Sequence, residues 1–377
     1  MRAEPSASGE RVATLPAGAT VARTDAAVVE ADDLTWYEVR FGETSGWVAS
    51  GPEGDWLASV TNGRIGFACI SCGEANSRTA VTVEPDGSDP QILLPEFASP
   101  TWSPDGRQVV MQSEDETLTL MAADGSDATP LGPGSGAAWS PDGEWLAFTN
   151  HSAGTLVVID PDGRRFDLTV NDHGAPGSLA WSPDSTMLAL VAIACDGCPT
   201  DEPLMGDVPS GIYLFTPPMG SVDQVVGPGF YGPPTWSPDG GSLTFSWTDL
   251  STEYELRQLD IESETVSTLA SGDSLLDGAL SPEGSRLAAL TPEGIVVADA
   301  AGGDQRMLVP RTEDSNPTPT HPRWSPDGRW ILYDMVWVTG DAIDSWIVPA
   351  DGSAEPQLVS ETAYQAAWQP VLVPLGD

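Results

Sequence analysis

The stretch Trp102-Ser103-Pro104-Asp105-Gly106, "WSPDG", decides the fold of this chain. The same five letters return at 139–143, 236–240 and 324–328, with the variants WSPDS at 181–185, LSPEG at 280–284 and WQP at 368–370. The distance from one start to the next is 37 to 55 residues, which is the length of a propeller blade. The repeat therefore predicts a series of similar β-units over most of the chain.

Each repeat has the pattern of four strands. The Pro-Asp-Gly turn is followed by an apolar run such as EWLAFTN (144–150), then by a second run such as TLVVID (155–160), and then by a short strand before the next Trp. Pro and Gly fall at the turns, where their backbone preferences are useful. No stretch of useful length has the 3.6-residue period of a helix. The sequence thus predicts an all-β protein.

The two ends of the repeat region complement each other. The runs RIGFACI (64–70), TAVTVEPDGS (79–88) and PQILLP (90–95) supply second, third and fourth strands, and AAWQPVLV (366–373) supplies a first strand. A blade built from both ends would leave no open sheet edge in the ring. Six whole units and one composite unit predict a seven-bladed β-propeller over 56–377, with six or eight blades as alternatives.

Two families are similar to these segments. The WSPDG repeat resembles that of the TolB-type, WD40-like propellers of bacterial envelope proteins, over about residues 60–377. RAEPSASGERVATLPAGATVA (2–22), WYEVR (36–40) and TSGWVAS (44–50) resemble a bacterial SH3-type (SH3b) domain, which we place at 1–55. That resemblance implies a small barrel that binds cell-wall peptides or glycans, or that spaces other domains. Trp36, Tyr37 and Trp47 are its candidate groove aromatics, although the barrel core also needs aromatic side chains.

The composition restricts the classes of partner that we expect for this chain. The 377 residues carry 56 acidic and 15 basic side chains, a net charge of -41, and every basic residue is Arg. Nucleic acid and anionic membranes need a basic face, so we expect neither as a partner. There is no apolar run of about 18 residues that would span a membrane. The chain opens within a strand-forming module, and we expect a natural leader upstream of it, an extracellular, periplasmic or cell-envelope location, and a monomer.

The variable loops point to one side of the predicted ring. In a four-stranded blade, the SPDG turns share one side with the DGS-type turns, and the second-to-third loops share the other side with the blade-to-blade links. Functional residues concentrate on variable loops. The predicted ligand or partner face comprises Phe97, His151, His173, Phe230, Tyr231, His321, Arg323 and Tyr364.

The four cysteines form two CxxC pairs, Cys69 with Cys72 and Cys195 with Cys198. Both pairs fall in predicted second-to-third loops, on blades at opposite sides of the ring. A zinc ion shared by all four thiolates would require both loops to cross the channel, and a redox CxxC needs a helix N-terminus that this sequence lacks. Two local disulfides are the favoured interpretation, with a metal site as the alternative.

Catalysis has little support in the sequence. There is no GxSxG elbow and no α/β domain that could hold one, and acidic pairs are expected by chance among 56 carboxylates. The Asp-rich loop 160–167 offers oxygen ligands for Ca²⁺, but no DxDxDG run is present; we expect no other cofactor. We therefore predict a non-enzymatic exported binding or scaffold protein with a protein or cell-wall ligand. The alternatives are a glycoside-active or other hydrolase with carboxylates in the channel, and a purely structural spacer.

Overall fold

The fold consists of β-strands joined by turns. The computed structural model describes residues 1–12, 15, 21–24, 26–32, 34–41, 44–50, 58–69, 79–95, 97–113, 115–169, 174–194, 210–217, 220, 222–237, 239–248, 254–272, 277–300, 302–311, 317–337, 343–361 and 363–374. Within these ranges no helix is long and apolar enough to cross a membrane.

The N-terminal module, residues 1–50, is a four-stranded sheet in which β3 pairs with each of the other strands. The first residues of the chain return to this sheet, because Arg2 forms an isolated bridge with Trp47. Its small core is made of Tyr37, Val39 and Val48. The strands are β1 (Ala22–Arg23), β2 (Val29–Ala31), β3 (Leu34–Phe41) and β4 (Thr44–Ser50).

The remaining strands form antiparallel four-stranded groups in the order of the sequence. Pairing of β19 with β21 joins two of these groups into one eight-stranded sheet. The strands are β5 (Ala58–Cys69), β6 (Thr79–Val83), β7 (Gln91–Pro95), β8 (Phe97–Trp102), β9 (Gln108–Ser113), β10 (Thr117–Ala122), β11 (Thr129–Pro133), β12 (Ser135–Trp139), β13 (Leu146–Asn150), β14 (Thr155–Ile159), β15 (Arg165–Thr169), β16 (Gly174–Trp181), β17 (Leu188–Ala194), β18 (Ser210–Phe215), β19 (Val222–Tyr231), β20 (Thr235–Trp236), β21 (Ser242–Thr248), β22 (Tyr254–Asp260), β23 (Thr265–Gly272), β24 (Asp277–Leu280), β25 (Arg286–Thr291), β26 (Gly294–Asp299), β27 (Arg306–Pro310), β28 (Thr318–Trp324), β29 (Trp330–Val336), β30 (Ile343–Pro349), β31 (Gln357–Ser360) and β32 (Ala363–Pro374).

The last strand of the chain completes the first group. β32 pairs antiparallel with β5, giving the order β32-β5-β6-β7. Trp368 lies opposite Ile65 in this pair, as Trp102 lies opposite Val109 in the next sheet. The sheet built from both ends is therefore present, with the register that the repeat predicts.

The motif tryptophans connect consecutive sheets. The indole Nε1 of Trp181 donates to the carbonyl of Ala138 in the preceding sheet (3.1 Å). Trp236 donates in the same way to Ala180 (2.9 Å), and Trp324 to Ala279 (2.8 Å). Each acceptor is the residue immediately before the motif of the preceding sheet, so the contact recurs in the same place. The indole nitrogens of Trp102, Trp139 and Trp368 are buried without a hydrogen-bond partner among the described residues.

The SPDG aspartates cap their own turns. Asp105 Oδ1 accepts the hydroxyl of Ser103 (2.6 Å) and the backbone N–H of Arg107 (3.0 Å). Ser103 Oγ in turn accepts the N–H of Gln108 (3.0 Å). The motif at residue 324 repeats this arrangement. The Asp side chain is short enough to accept hydrogen bonds from its own turn and so stabilises it, which explains why Asp recurs in the motif.

The N-terminal module lies on the side of the SPDG turns, here called the turn side. Beyond Trp368, β32 continues to Pro374 and pairs with β5 back to Ala58, in the place where other sheets have the SPDG turn. Arg40 of β3 donates to Ser285 Oγ, next to the LSPEG turn (3.4 Å). The opposite end of the sheets, the loop side, faces away from this contact.

We predict that Trp236→Ala lowers the free energy of unfolding by about 3–5 kcal/mol, because it removes a buried indole and its inter-sheet hydrogen bond. Trp236 is only 7% exposed and packs with Ala189 and Phe245. Denaturant unfolding measures the loss. Trp139→Ala serves as the comparison and should cost less, because Trp139 is only half-buried and its indole has no described acceptor. A loss below about 1 kcal/mol for Trp236→Ala would contradict the packing role.

Turn capping also predicts a pH effect. The hydroxyl of Ser126 donates to Asp124 (2.6 Å) and, with the Ser126 N–H, holds the pKa of Asp124 below its ordinary 3.8. A lowered folded-state pKa stabilises the fold above pH 3.8, and this contribution is lost as the pH falls through the folded value. Ser126→Ala should move the pKa of Asp124 up towards 3.8 in a carboxyl NMR titration. Ser88→Ala, which affects Asp86, should leave Asp124 unchanged.

Candidate functional site

The predicted ligand-face residues lie in strands more often than in links. His321 and Arg323 are part of β28, Phe97 begins β8, Tyr364 belongs to β32, and Phe230 and Tyr231 end β19. Their expected place in blade-to-blade links is therefore wrong, because β8, β28 and β32 begin several residues before the motif tryptophan and β19 runs on to Tyr231, where it pairs with β21. His151 does lie in a second-to-third turn, where it is exposed. His173 lies outside the described residues.

Among the members of that set whose side chains the structure describes, His321 and Arg323 are brought together, and the acid that joins them was not predicted. Asp334 of β29 is 2% exposed. It accepts a hydrogen bond from Arg323 Nη2 (2.7 Å) and one from Ser345 Oγ (2.9 Å). His321 Nδ1 lies 3.8 Å from the same carboxylate. We call Arg323, His321, Asp334 and Ser345 the Asp334 cluster. Acidic residues are so common in this sequence that no local pattern singles out Asp334.

The Asp334 cluster also joins two sheets. Arg323 Nη1 donates to the carbonyl of Ala366 in β32 (2.6 Å). A planar guanidinium can hold a carboxylate and a carbonyl at once, which a lysine ammonium does less specifically. Arg323 therefore connects the sheet of β28–β31 to the sheet that contains both ends of the repeat region.

The backbone at His321 adopts a left-handed conformation, with φ of 51°. It sits where the pairing of β28 with β29 shifts register, between Thr320 and Arg323. A bulge redirects a side chain, and a non-glycine residue with positive φ at a functional position is a reason to examine it. The side chain of His321 is 61% exposed while Asp334 is 3% exposed. The bulge thus presents an imidazole to solvent above a buried carboxylate.

The geometry of the cluster favours binding over nucleophilic catalysis. Asp334 contacts both His321 and Ser345, whereas an activated serine must contact the histidine itself. Ser345 is also fully buried. The exposed parts of His321 and Arg323 can offer N–H donors to a carbonyl or an anionic group of a ligand.

Tyr231 belongs to a different group of side chains. Its ring packs on Phe245, with centroids 5.6 Å apart, and burial raises the pKa of its phenol. The guanidinium of Arg257 lies 3.4 Å from the centre of the Trp247 ring and pairs with Glu255 (2.8 Å). The rings of Tyr231 and Trp247 therefore pack against other side chains of the protein, and we assign both residues a structural role.

Two of the three predicted groove aromatics are core residues. Trp36 is 3% exposed and donates to the carbonyl of Ala31 (3.0 Å). Tyr37 is 8% exposed, and Arg23 stacks on its ring. Trp47 is half-buried, so among the three it has the surface to contact a ligand. The small module needs large apolar side chains for its interior, which explains the burial of the other two.

The cysteine and calcium hypotheses have different outcomes. Cys69 ends β5, is fully buried and takes part in a disulfide bond. Cys72, Cys195 and Cys198 lie outside the described residues, so the pairing stays a prediction. In the loop at 160–167, Asp160 binds Arg164 (2.7 Å), and Asp162 binds the same guanidinium (2.9 Å). Arg165 pairs with the third aspartate, Asp167 (2.9 Å), so arginines contact all three carboxylates that the calcium hypothesis used.

Comparison with known proteins gives a domain family for the first residues and a fold match over most of the chain. Residues 1–51 match the bacterial SH3 domain. TolB from Acinetobacter baumannii is 17% identical, with a TM-score of 0.51, and the match covers 91% of this chain and 81% of TolB. At that identity the likeness shows a shared fold, the TolB-type β-propeller, and no activity.

Two further matches are a solved structure and a protein of similar sequence. A structure of prolyl endopeptidases matches at 16% identity and a TM-score of 0.51, over 71% of this chain and 42% of that one. An uncharacterized protein of Agrobacterium fabrum is 26% identical over an alignment of 251 residues, and the match covers 63% of this chain and 62% of that protein. The match thus spans less than two thirds of the length of this curated relative.

We predict that Arg323→Ala lowers the free energy of unfolding by about 3–5 kcal/mol, because it leaves the buried Asp334 carboxylate unpaired. Asp334→Asn should cost less, since the amide can still accept the Ser345 hydroxyl. The double variant should lose less than the sum of the two single losses. Arg329→Ala, at an exposed arginine of the neighbouring turn, should change the midpoint of denaturant unfolding little. Strict additivity of the two single losses would show that the pair is not coupled.

Proposed function

We propose that this chain is a non-enzymatic binding protein of the bacterial envelope or exterior. Its N-terminal module attaches to a cell-wall or peptide ligand, and its propeller binds a protein on the loop side. The observation that carries the proposal is the position of the N-terminal module at the turn side, through the β5–β32 pair and the Arg40–Ser285 contact. Attachment at one side leaves the loop side accessible to a second partner.

We further propose that the propeller is a closed ring of seven blades. Apolar clusters support it at both boundaries of the sheet that combines the two ends. Phe67 and Trp368 of that sheet pack with Leu332 and Ile347 of the last sheet. On its other face, Ala80 packs with Trp102 and Met111 of the next sheet. Because the sheet β32-β5-β6-β7 has neighbours on both faces, the ring has no open end there.

The carboxyl groups whose pKa is shifted are held in the charged form. A glycosidase of this type needs a carboxylic acid whose pKa is raised into the neutral range. Among the described residues, each carboxyl group whose pKa departs from its ordinary value moves downward. These groups are Asp32, Asp86, Asp115, Asp124, Asp160, Asp184, Asp260 and Asp351.

Charge restricts the partner of the loop side. A net charge of -41 repels acidic macromolecules and attracts partners with a basic surface. We propose a protein ligand with such a surface, bound by a monomer of this chain. We also expect the rate at which the chain associates with such a partner to depend on ionic strength, because salt screens charges beyond a distance of about 10 Å at 0.1 M.

The wall-binding role predicts that Trp47→Ala reduces co-sedimentation of the full-length protein with isolated bacterial cell wall several-fold. The reason is that Trp47 is the groove aromatic with accessible surface, and truncation of an aromatic anchor typically removes much of a binding energy. Circular dichroism should show an unchanged fold. Trp337→Ala removes an exposed tryptophan of the propeller, 36% accessible, and should bind as the unchanged protein does. The attachment role would be contradicted if Trp47→Ala bound the wall as well as the unchanged protein does, or if no form of the protein bound it.

A further inference from the structure

One outer strand of the propeller pairs differently from its equivalents. The third and fourth strands of the sheets form seven described pairs, and six of them have a register shift at a bulge. The pair of β14 with β15 runs from Thr155 opposite Thr169 to Ile159 opposite Arg165 without a shift. Bulges are one of the features that prevent a sheet edge from pairing with another chain. β15 is therefore the outer strand with a regular edge among the described strands.

Proline, which also protects sheet edges, is absent from β15 as well. Four other outer strands contain it, at Pro95, Pro130, Pro133, Pro228 and Pro310. Pro130 lies opposite Thr119, the residue six places before the glycine of the turn. Asp167 has the same position in β15, because it lies opposite Val157, again six places before the turn glycine. The chain thus has a proline at this position in one sheet and an N–H donor in the next.

The turn before β15 shows which backbone groups face outwards. The N–H of Asp160 donates to the carbonyl of Arg164 (2.9 Å). Hydrogen-bonded and non-hydrogen-bonded pairs alternate along an antiparallel ladder, so Phe166 and Leu168 direct their backbone groups to β14. The alternate residues direct both N–H and C=O away from the sheet, and no turn or loop of the described chain bonds to them. These residues are Arg165, Asp167 and Thr169.

The side chains of β15 give its two faces different chemistry. Phe166 and Leu168 are half-buried on one face, where Leu168 packs on the apolar cluster of the following sheet. Arg165 and Asp167 are exposed on the other face. Arg165 pairs with Asp167 along the strand (2.9 Å) and reaches the carbonyl of Leu131 in the preceding sheet (2.8 Å). An incoming strand would therefore meet apolar surface on one face and a carboxylate on the other.

We propose that β15 binds an extended segment of a basic partner protein, which adds to the sheet as a fifth, antiparallel strand. Backbone pairing provides affinity, alternate apolar side chains cover Phe166 and Leu168, and a Lys or Arg between them lies opposite Asp167. The net charge of -41 favours a cationic segment over a second, equally acidic copy of the chain. This contact on the outer wall is additional to binding on the loop side and to wall attachment through Trp47, and it depends on neither.

Fluorescence anisotropy of the full-length protein tests strand addition with a labelled, end-capped peptide Lys-Val-Lys-Val-Lys-Val-Lys as the probe. In the proposed pairing the lysine N–H groups face β15 and the valine N–H groups face away. Backbone N-methylation of the lysines keeps the charge and should weaken binding at least about tenfold, since hydrogen bonds to β15 are lost. N-methylation of the valines is the matched control and should leave binding unchanged. Equal binding of the two methylated peptides, or no saturable binding of the unmethylated one, would overturn the proposal.

Variants of the protein locate the binding to β15. Asp167→Pro removes an outward N–H but no bond to β14, as Pro130 does in β11, and should weaken binding of the unmethylated peptide at least about tenfold. Asp167→Asn keeps the N–H and removes only the charge, so the loss should not exceed about fivefold. Met307→Pro, at the equivalent position of β27, should leave binding unchanged.

Undiminished peptide binding by Asp167→Pro would contradict the site, and the methylated peptides still test it if this variant does not fold. Sedimentation of the protein alone distinguishes the other occupant. A dimer of the unchanged protein that Asp167→Pro converts to a monomer would identify a second copy of the chain on β15 and overturn the assignment to a basic partner.

Discussion

Packing between the sheets is the constraint on which the rest of the molecule depends. The central strands are apolar on both faces; β13, for example, is buried along its whole length. A sheet of this kind is stable only with a neighbour on each side, and a row of such sheets would expose an apolar face at both ends. Pairing of β32 with β5 provides the missing neighbour. Three of the motif tryptophans, Trp181, Trp236 and Trp324, also bridge consecutive sheets by donating to a backbone carbonyl of the sheet before them.

The departures from the repeat have structural consequences of their own. Ser185 replaces glycine in WSPDS, and its hydroxyl accepts the N–H of Asp142 from the preceding turn (3.1 Å). In LSPEG, Glu283 holds Arg286, which donates to the carbonyl of Gly328 in the following turn (2.6 Å). Gln369 of WQP donates to the carbonyl of Gly106 (2.8 Å). The residues that depart from the repeat therefore form hydrogen bonds between neighbouring turns. These bonds stabilise the turn side, where the N-terminal module makes its contact with Ser285.

Several arginines of this acidic protein each contact more than one acceptor. Arg323 binds a buried carboxylate and a carbonyl of the next sheet, and Arg164 binds two aspartates of one loop. Arg64 donates to Thr82 and pairs with Glu84 (2.6 Å). The five donors of a guanidinium allow one side chain to satisfy several acceptors. This explains how 15 arginines can organise a chain with 56 acidic residues.

The sequence by itself determined the strands, the turns and the return of the C-terminal strand to β5, because these follow from residue patterns that repeat along the chain. It also placed Asp105 and its equivalents in self-capped turns, since both partners lie within a few residues. Only the tertiary structure decided that Trp36 and Tyr37 are core residues and that Asp334 lies buried beneath His321 and Arg323. These features depend on which residues meet across a sheet or between sheets. Such meetings are set by the packing of the ring, and no local pattern records them.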